Sequence, residues 1–170
     1  MTVLALLRHA KAVKDDPGGD HARALSDTGR AAAAVAGERL SRSLSSDVQV
    51  FASDARRTRQ TAELAFPSSH AGLRLHLEPA LYAASLGSLM AFVRQLPIDV
   101  SAAVLVGHNP GISELAFALA GEGDSADLER LAGGLATADA VVLDLADGWA
   151  GAGPRSGRVV SLLARKDAED

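Results

Sequence analysis

The amino-acid sequence predicts an α/β layer fold with a mostly parallel sheet. Short apolar runs of strand length alternate along the chain with longer stretches of helical periodicity. Glycine, proline, asparagine and aspartate gather between them, as turns require. Aromatic residues are only 4% of a chain that is 48% hydrophobic. The core is therefore built from Ala, Val and Leu, which suits close packing of helices on a sheet. At 170 residues the chain fits one compact domain, 1–170, long enough to bury a sizeable core.

Each element has its own signal. Val3 to Leu7 is an apolar run that reads as a buried strand, with Arg8, His9 and Lys11 at its carboxyl end. A loop containing Asp15, Asp16, Pro17, Gly18 and Gly19 follows. Ser26 is a helix cap with Asp27 in the first turn, and Ala32, Ala36 and Leu40 recur at helical spacing. Val48 to Ala52 is the second strand. Ser53 is expected to cap a helix from Asp54 to Phe66 that Pro67 ends. Leu73 to Leu77 reads as a strand, Leu86 to Leu96 as a helix and Ala102 to Val106 as a fourth strand. In Gly107-His108-Asn109-Pro110-Gly111, Asn109 is the expected cap and Pro110 the first residue of a helix reaching Ala120. Val141 to Leu145 and Val159 to Leu163 are two late strands around a glycine-rich stretch at 148–157.

Composition narrows the function classes. A net charge of −4 argues against general affinity for nucleic acid or an anionic membrane, both of which need a basic face. Without cysteine there are no disulfides, thiolate metal sites or thiol nucleophiles. No apolar run approaches the roughly 20 residues of a membrane span. The opening Met1-Thr-Val-Leu-Ala-Leu-Leu is too short for a signal peptide and runs straight into Arg8. The expected location is the cytoplasm.

Ligands of such sheets bind beyond the carboxyl ends of the strands. Arg8-His9 follows the first strand, Arg56-Arg57 comes just after the second, and His108 follows the fourth. Taken singly, His9 reads as a polar loop residue, Arg57 as a solvated helix arginine like Arg56 and Arg59, and His108 as a turn residue. Together they bring cationic and imidazole groups to one sheet edge. Arginine's planar donor fork matches phosphate oxygens, and histidine can serve as nucleophile, acid, base or donor. No carboxylate joins His9 and His108 at metal-ligand spacing, so no metal or other cofactor is expected and an anion is the better guest. His21, His70 and His76 lack such context; His70 and His76 read as ordinary surface or loop residues.

Leu7-Arg8-His9-Ala10-Lys11-Ala12 resembles the Arg-His signature of the histidine phosphatase superfamily. Ser53-Asp54-Ala55-Arg56-Arg57-Thr58-Arg59-Gln60-Thr61-Ala62 and Val106-Gly107-His108-Asn109-Pro110 resemble its second and third motifs. Asp20-His21-Ala22-Arg23-Ala24-Leu25-Ser26 with Gly29, Leu81-Tyr82-Ala83-Ala84 and Thr137-Ala138-Asp139-Ala140 are similar to the short phosphohistidine phosphatase (SixA-like) branch. Ala24 stands where that branch often has proline, a departure that touches loop shape. The resemblance implies a phosphoglycerate mutase-like three-layer sandwich: a mostly parallel sheet, helices on both faces and no large cap. It implies that His9 attacks phosphorus, that Arg8 and Arg57 hold the phosphoryl oxygens, and that His108 donates to the same oxygens. In this register Arg57, four residues on from Ser53, is the clamp. Arg56 points about 100° away on the helix.

Larger members of the superfamily carry a carboxylate that protonates the leaving group. Glu78 is the nearest candidate by order, and equally a solvated residue before Pro79. Without an acid, phosphohistidine and aryl phosphates leave more readily than alkyl phosphates. The leading expectation is thus a metal-independent phosphatase of phosphohistidine on a phosphotransfer protein. A small-molecule phosphomonoesterase is the alternative, and a non-catalytic phosphate-binding module the third reading.

Overall fold

The computed structural model describes residues 2–45, 47–67 and 73–164. These form strands β1 (Thr2–Arg8), β2 (Gln49–Ala52), β3 (Arg74–Leu77), β4 (Ala102–Gly107), β5 (Ala120–Glu122), β6 (Ala140–Leu145) and β7 (Gly157–Leu163). The helices are α1 (Asp27–Ser41), α2 (Arg56–Ala65), α3 (Leu86–Arg94), α4 (Gly111–Leu119) and α5 (Ser125–Ala132). All seven strands join one sheet in the order β3-β2-β4-β1-β6-β7-β5. The pairs β2–β3, β2–β4, β1–β4 and β5–β7 are parallel, whereas β6 is antiparallel to both β1 and β7. Every strand but β6 therefore runs in one direction, and the sheet is mostly parallel as the sequence predicts. No helix among the described residues is long and apolar enough to cross a membrane.

Alternate residues of the central strands feed two cores, because successive side chains leave a strand on opposite faces. Leu4, Leu6, Ala103, Leu105, Val141 and Leu143 pack on one face with Leu89, Ile112, Leu115 and Leu131 from α3, α4 and α5. Ala5, Leu7, Val50, Val104, Val106 and Val142 pack on the other with Ala36, Leu40, Ala62 and Ala65 from α1 and α2. The result is the three-layer sandwich, helices on both faces. Trp149 lies buried in the glycine-rich stretch between β6 and β7 and donates its indole N–H to Val100 O at 2.8 Å.

Ser26 caps α1 as expected, its hydroxyl accepting from Gly29 N at 3.1 Å. Two other caps differ from the sequence reading. α2 begins at Arg56 after Ala55, with no side-chain cap of its own; Ser53 lies upstream, where its hydroxyl accepts from Ala55 N at 3.2 Å and from His108. α4 begins at Gly111 after Pro110. Asn109 accepts from the Ser113 hydroxyl and donates to Leu135 O rather than capping. Two elements lack a sequence signal. β5 is three residues long and contains Gly121, while α5 is only eight residues, its apolar face Leu128 and Leu131.

α1 and α2 approach closely at Gly37. A Cβ there would lie 2.0 Å from Ala65 O and 2.5 Å from Ala65 Cα. Alanine is favoured over glycine in a helix by about 1 kcal/mol, but backbone cannot yield to this contact as a flexible side chain could. Gly37→Ala is predicted to destabilise the protein, a net loss on the order of 1–3 kcal/mol from overpacking. Thermal unfolding should show a Tm lower by several degrees; an unchanged or higher Tm would contradict the packing argument.

Candidate active site

Parallel pairing sets Leu7 opposite Val106 and Ala52 opposite Val106, so β2, β4 and β1 end side by side. The chain leaves each strand in register: His9 N donates to Gly107 O at 3.1 Å and Ser53 N to Val106 O at 3.2 Å. The turns after three neighbouring strands thus deliver Arg8, His9, Arg57 and His108 to one place.

His9 is 9% exposed. Its Nδ1 lies 2.8 Å from Ala10 O; a carbonyl only accepts, so Nδ1 carries the proton and Nε2 keeps its lone pair. Burial lowers the His9 pKa to about 4; the Ala10 hydrogen bond opposes this, and Arg57, Arg8 and Arg23 add to it. The following turn is fixed by α2. Ala10 N donates to Thr61 Oγ1 at 3.0 Å, Thr61 Oγ1 donates to Arg57 O at 2.7 Å, and Leu25 N donates to Gln60 Oε1 at 2.8 Å.

His108 is 8% exposed, its ring centroid 5.3 Å from that of His9. Arg57 Nη2 lies 3.2 Å from His108 Nδ1 and can only donate. Nδ1 therefore accepts, and Nε2–H donates to Ser53 Oγ at 2.9 Å. Burial, then the charge of Arg57, lowers the His108 pKa to about 3. In this arrangement His108 has no N–H left for a phosphoryl oxygen; the expected donor role requires a second proton on the ring.

Arg57 is 6% exposed, whereas Arg56 on the next position of α2 is exposed. Arg57 Nη1 donates to Asp20 O at 2.7 Å and Nη2 to Asp20 Oδ2 at 3.0 Å. Arg8 Nη1 donates to Leu135 O at 2.9 Å. Burial pushes the Arg8 pKa below the usual arginine range and Asp139 opposes it. The Nε atoms of both arginines are buried without a hydrogen-bond partner among the described residues.

A rim lies above this floor. The Asp20 carboxylate accepts from Arg23 Nη1 at 3.0 Å, Arg57 Nη2 at 3.0 Å and the Tyr82 hydroxyl at 2.7 Å. The Tyr82 hydrogen bond, followed by the charges of Arg57 and Arg23, holds its pKa at about 2 against the effect of burial. In return the Asp20 hydrogen bond raises the Tyr82 pKa. The Tyr82 ring meets His108 edge-on at 5.4 Å and His21 at 4.9 Å, and His21 Nε2 lies 2.9 Å from Asp54 Oδ1. Spacing gave no reason to bring Asp20, His21 and Tyr82 here; they come from the loop after β1 and the turn after β3. His76 instead stacks on Phe51 at 4.8 Å and meets Gln49 Oε1 at 2.7 Å; His70 lies outside the described residues. Glu78 follows β3, half-buried, its N–H donated to Ala52 O at 2.8 Å. No group of three or more His, Asp or Glu among the described residues could hold a metal ion.

Comparison with known proteins gives this site its class. Residues 4–94 match the model of the histidine phosphatase superfamily (branch 1), and the chain belongs to that superfamily. It is a phosphatase by class. An uncharacterized protein of Mycobacterium tuberculosis is 32% identical over 160 residues, covering 92% of this chain and 98% of the relative. Two solved structures provisionally named phosphohistidine phosphatase SixA are each 27% identical. The one from Nakamurella multipartitia has a TM-score of 0.81 over 95% of this chain and 94% of its own. The one from Agrobacterium tumefaciens has 0.76 over 96% and 97%. A mycobacterial glucosyl-3-phosphoglycerate phosphatase shares the fold at 21% identity, with a TM-score of 0.63 over 96% of this chain and 99% of its own.

The lowered histidine pKa values have a consequence for stability. An unfolded histidine titrates near 6.5, whereas folded His9 and His108 titrate at about 4 and about 3. Below pH 6.5 the unfolded chain takes up protons that the folded chain does not. Stability is therefore full above pH 6.5 and falls as pH falls towards 4, by up to about 1.4 kcal/mol per pH unit for each group. Urea unfolding midpoints should be lower at pH 5 than at pH 7, with a smaller difference in His108→Gln. Equal midpoints in the parent would show that these imidazoles titrate normally.

Proposed function

We propose that the chain is a metal-independent phosphohistidine phosphatase that removes the phosphoryl group from a histidine of a phosphotransfer protein through a phosphorylated His9. The observation that carries this reading is the state of His9: a neutral imidazole with Nδ1–H tied to Ala10 O and Nε2 unprotonated, beside buried Arg57 and half-buried Arg8. That is a nucleophile ready at neutral pH without loss of a proton. Nε2 attacks phosphorus in line, and the leaving group departs on the far side. Arg8 and Arg57 hold the non-bridging oxygens, whose negative charge also lifts the His108 pKa from its low value. His108 can then gain the second proton and donate to a phosphoryl oxygen as charge develops. Water attacks phospho-His9 in the second step and restores the free imidazole.

Substrate class is read from the surroundings. A leaving imidazole does not need the proton that Glu78 is the candidate to supply. The connections at this sheet edge are short apart from the loop after β1, so among the described residues no inserted segment caps the site, and a protein surface can reach it. The names of the two SixA structures point the same way. A small-molecule phosphomonoesterase is the second reading, favoured by the fold shared with glucosyl-3-phosphoglycerate phosphatase. A phosphate-binding module would have no use for a nucleophile in this state.

A panel of phosphohistidine peptides and proteins against sugar phosphates and nucleotides should give the higher kcat/KM for phosphohistidine. A sugar phosphate at the head of the panel would establish the second reading. His9→Ala should abolish both turnover and the acid-labile phosphoenzyme; activity within twofold of the parent would remove His9 as nucleophile.

The arginine assignment is tested separately. Arg57→Ala should lower kcat/KM by about 10²-fold or more, the usual loss of a charged donor at a transition-state anion. Arg56→Ala, at an exposed position, should change it far less. The reverse order would mean that the clamp is misassigned.

A further inference from the structure

Asp20 is a carboxylate at a site built for phosphate, and the mechanism above does not use it. Its side chain is 53% exposed, while that of Arg57 beneath it is 7% exposed, so it lies at the mouth. It is nonetheless fixed: Arg23, Arg57 and Tyr82 all donate to it. One guanidinium nitrogen, Arg57 Nη2, spans from Asp20 Oδ2 at 3.0 Å to His108 Nδ1 at 3.2 Å. The carboxylate thus stands one donor away from the floor that receives the phosphoryl group. A carboxylate offers about four acceptor positions, and three are taken. His9 is buried, so a leaving group in line with it projects outward, towards the rim to which exposed Asp20 belongs.

A carboxylate here repels an anionic leaving group and attracts a cationic one. Phosphohistidine supplies the latter, because the ring nitrogen that does not carry phosphorus can hold a proton. We propose, on the reading that phosphohistidine is the substrate, that Asp20 accepts the N–H of the substrate imidazole's second nitrogen and keeps that ring protonated until the P–N bond breaks. The His9 Nε2 lone pair forms the new N–P bond. The electron pair of the old one returns to the departing nitrogen. The substrate ring leaves as neutral imidazole with its other proton still in place, and His9 takes up the positive charge. The two rings are then held alike at their far nitrogens, His9 by Ala10 O and the substrate by Asp20. Asp20 remains ionised across the neutral range, so it acts as acceptor and not as acid. The charged and titratable groups around it are Arg23 and His21 on its own loop, Arg57 on α2, Tyr82 after β3 and His108 after β4, with Asp54 paired to His21.

The test compares the parent with Asp20→Asn on a phosphohistidine peptide and on para-nitrophenyl phosphate, whose leaving phenolate has no second N–H. Arg57 loses an ionic partner in the variant, so both rates fall. The ratio of kcat/KM for the peptide to that for the ester should fall further, roughly 10- to 100-fold, as expected for a charged hydrogen bond. The pH profile of kcat on the peptide gives a second readout. The carboxylate raises the pKa of the bound ring, so the alkaline limb in the parent lies at higher pH than in Asp20→Asn, and Asp20→Glu should restore part of the difference. An equal fall on both substrates with an unmoved limb would reduce Asp20 to a prop for Arg57 and overturn the proposal while leaving phosphohistidine as the substrate. A parent that cleaves the ester and not the peptide would overturn the substrate reading, and this inference with it.

Discussion

Parallel pairing of β1 with β4 and of β4 with β2 is the constraint on which the site depends. Parallel neighbours must end at the same side of a sheet, and each must then turn away into its own connection. Three such turns in a row bring residues some fifty positions apart within hydrogen-bond reach, as Arg57 and His108 are at 3.2 Å. The precision comes from backbone bonds continuing past the strands, His9 to Gly107 and Ser53 to Val106. These fix the two imidazoles 5.3 Å apart before any side-chain contact is counted. α2 then joins the assembly from above β2. Thr61 and Gln60 tie it to the segment that follows His9, so the motif that supplies the arginine also braces the turn that supplies the nucleophile.

Setting buried Arg57 and half-buried Arg8 beside two buried histidines creates an electrostatic conflict, and the protein resolves it in two ways. The histidines give up their charge: burial and neighbouring cations hold both well below their usual pKa. Arg57 keeps its charge and is matched from the rim by the Asp20 carboxylate and carbonyl. Ionised arginine and neutral imidazole together leave the floor positive but uncrowded, an environment that welcomes a phosphoryl dianion. Glycine contributes where space is shortest. At Gly29 a Cβ would fall 2.0 Å from Lys11 O, so the start of α1 can close on the loop that leaves the site only without a side chain.

Much of this was legible in the sequence. The apolar runs that became β1, β4 and β6 are largely buried strands, and the positions of Arg8, His9 and His108 at their ends follow from them. Ser53 and Asn109 were misread for one physical reason. Both are good capping residues that sit just before helices, yet each side chain also meets a distant partner, His108 for Ser53 and Leu135 for Asn109, while Ser53 accepts from Ala55 N and Asn109 from Ser113. Local propensity records what a side chain can do for its own backbone, and it does not register that each of these two also meets a partner far along the chain. Asp20, His21 and Tyr82 were quoted only as part of a family likeness, because a loop has no period from which to predict what it will cover. β5 and α5 escaped because three residues with a central glycine, and a helix of only eight residues, carry too little apolar pattern.

The ends of the sheet have a significance of their own. An open sheet exposes unpaired N–H and C=O groups along its outermost strands, a template for accretion of other chains. Here the outermost strands are β3, four residues with Arg74 exposed at its start, and β5, three residues ending in exposed Glu122. The longer strands β1, β4 and β6 lie inside the sheet, while β5 pairs with β7 only at Gly157 and Arg158. Such brief, charged margins offer an incoming strand few hydrogen bonds and a poor register.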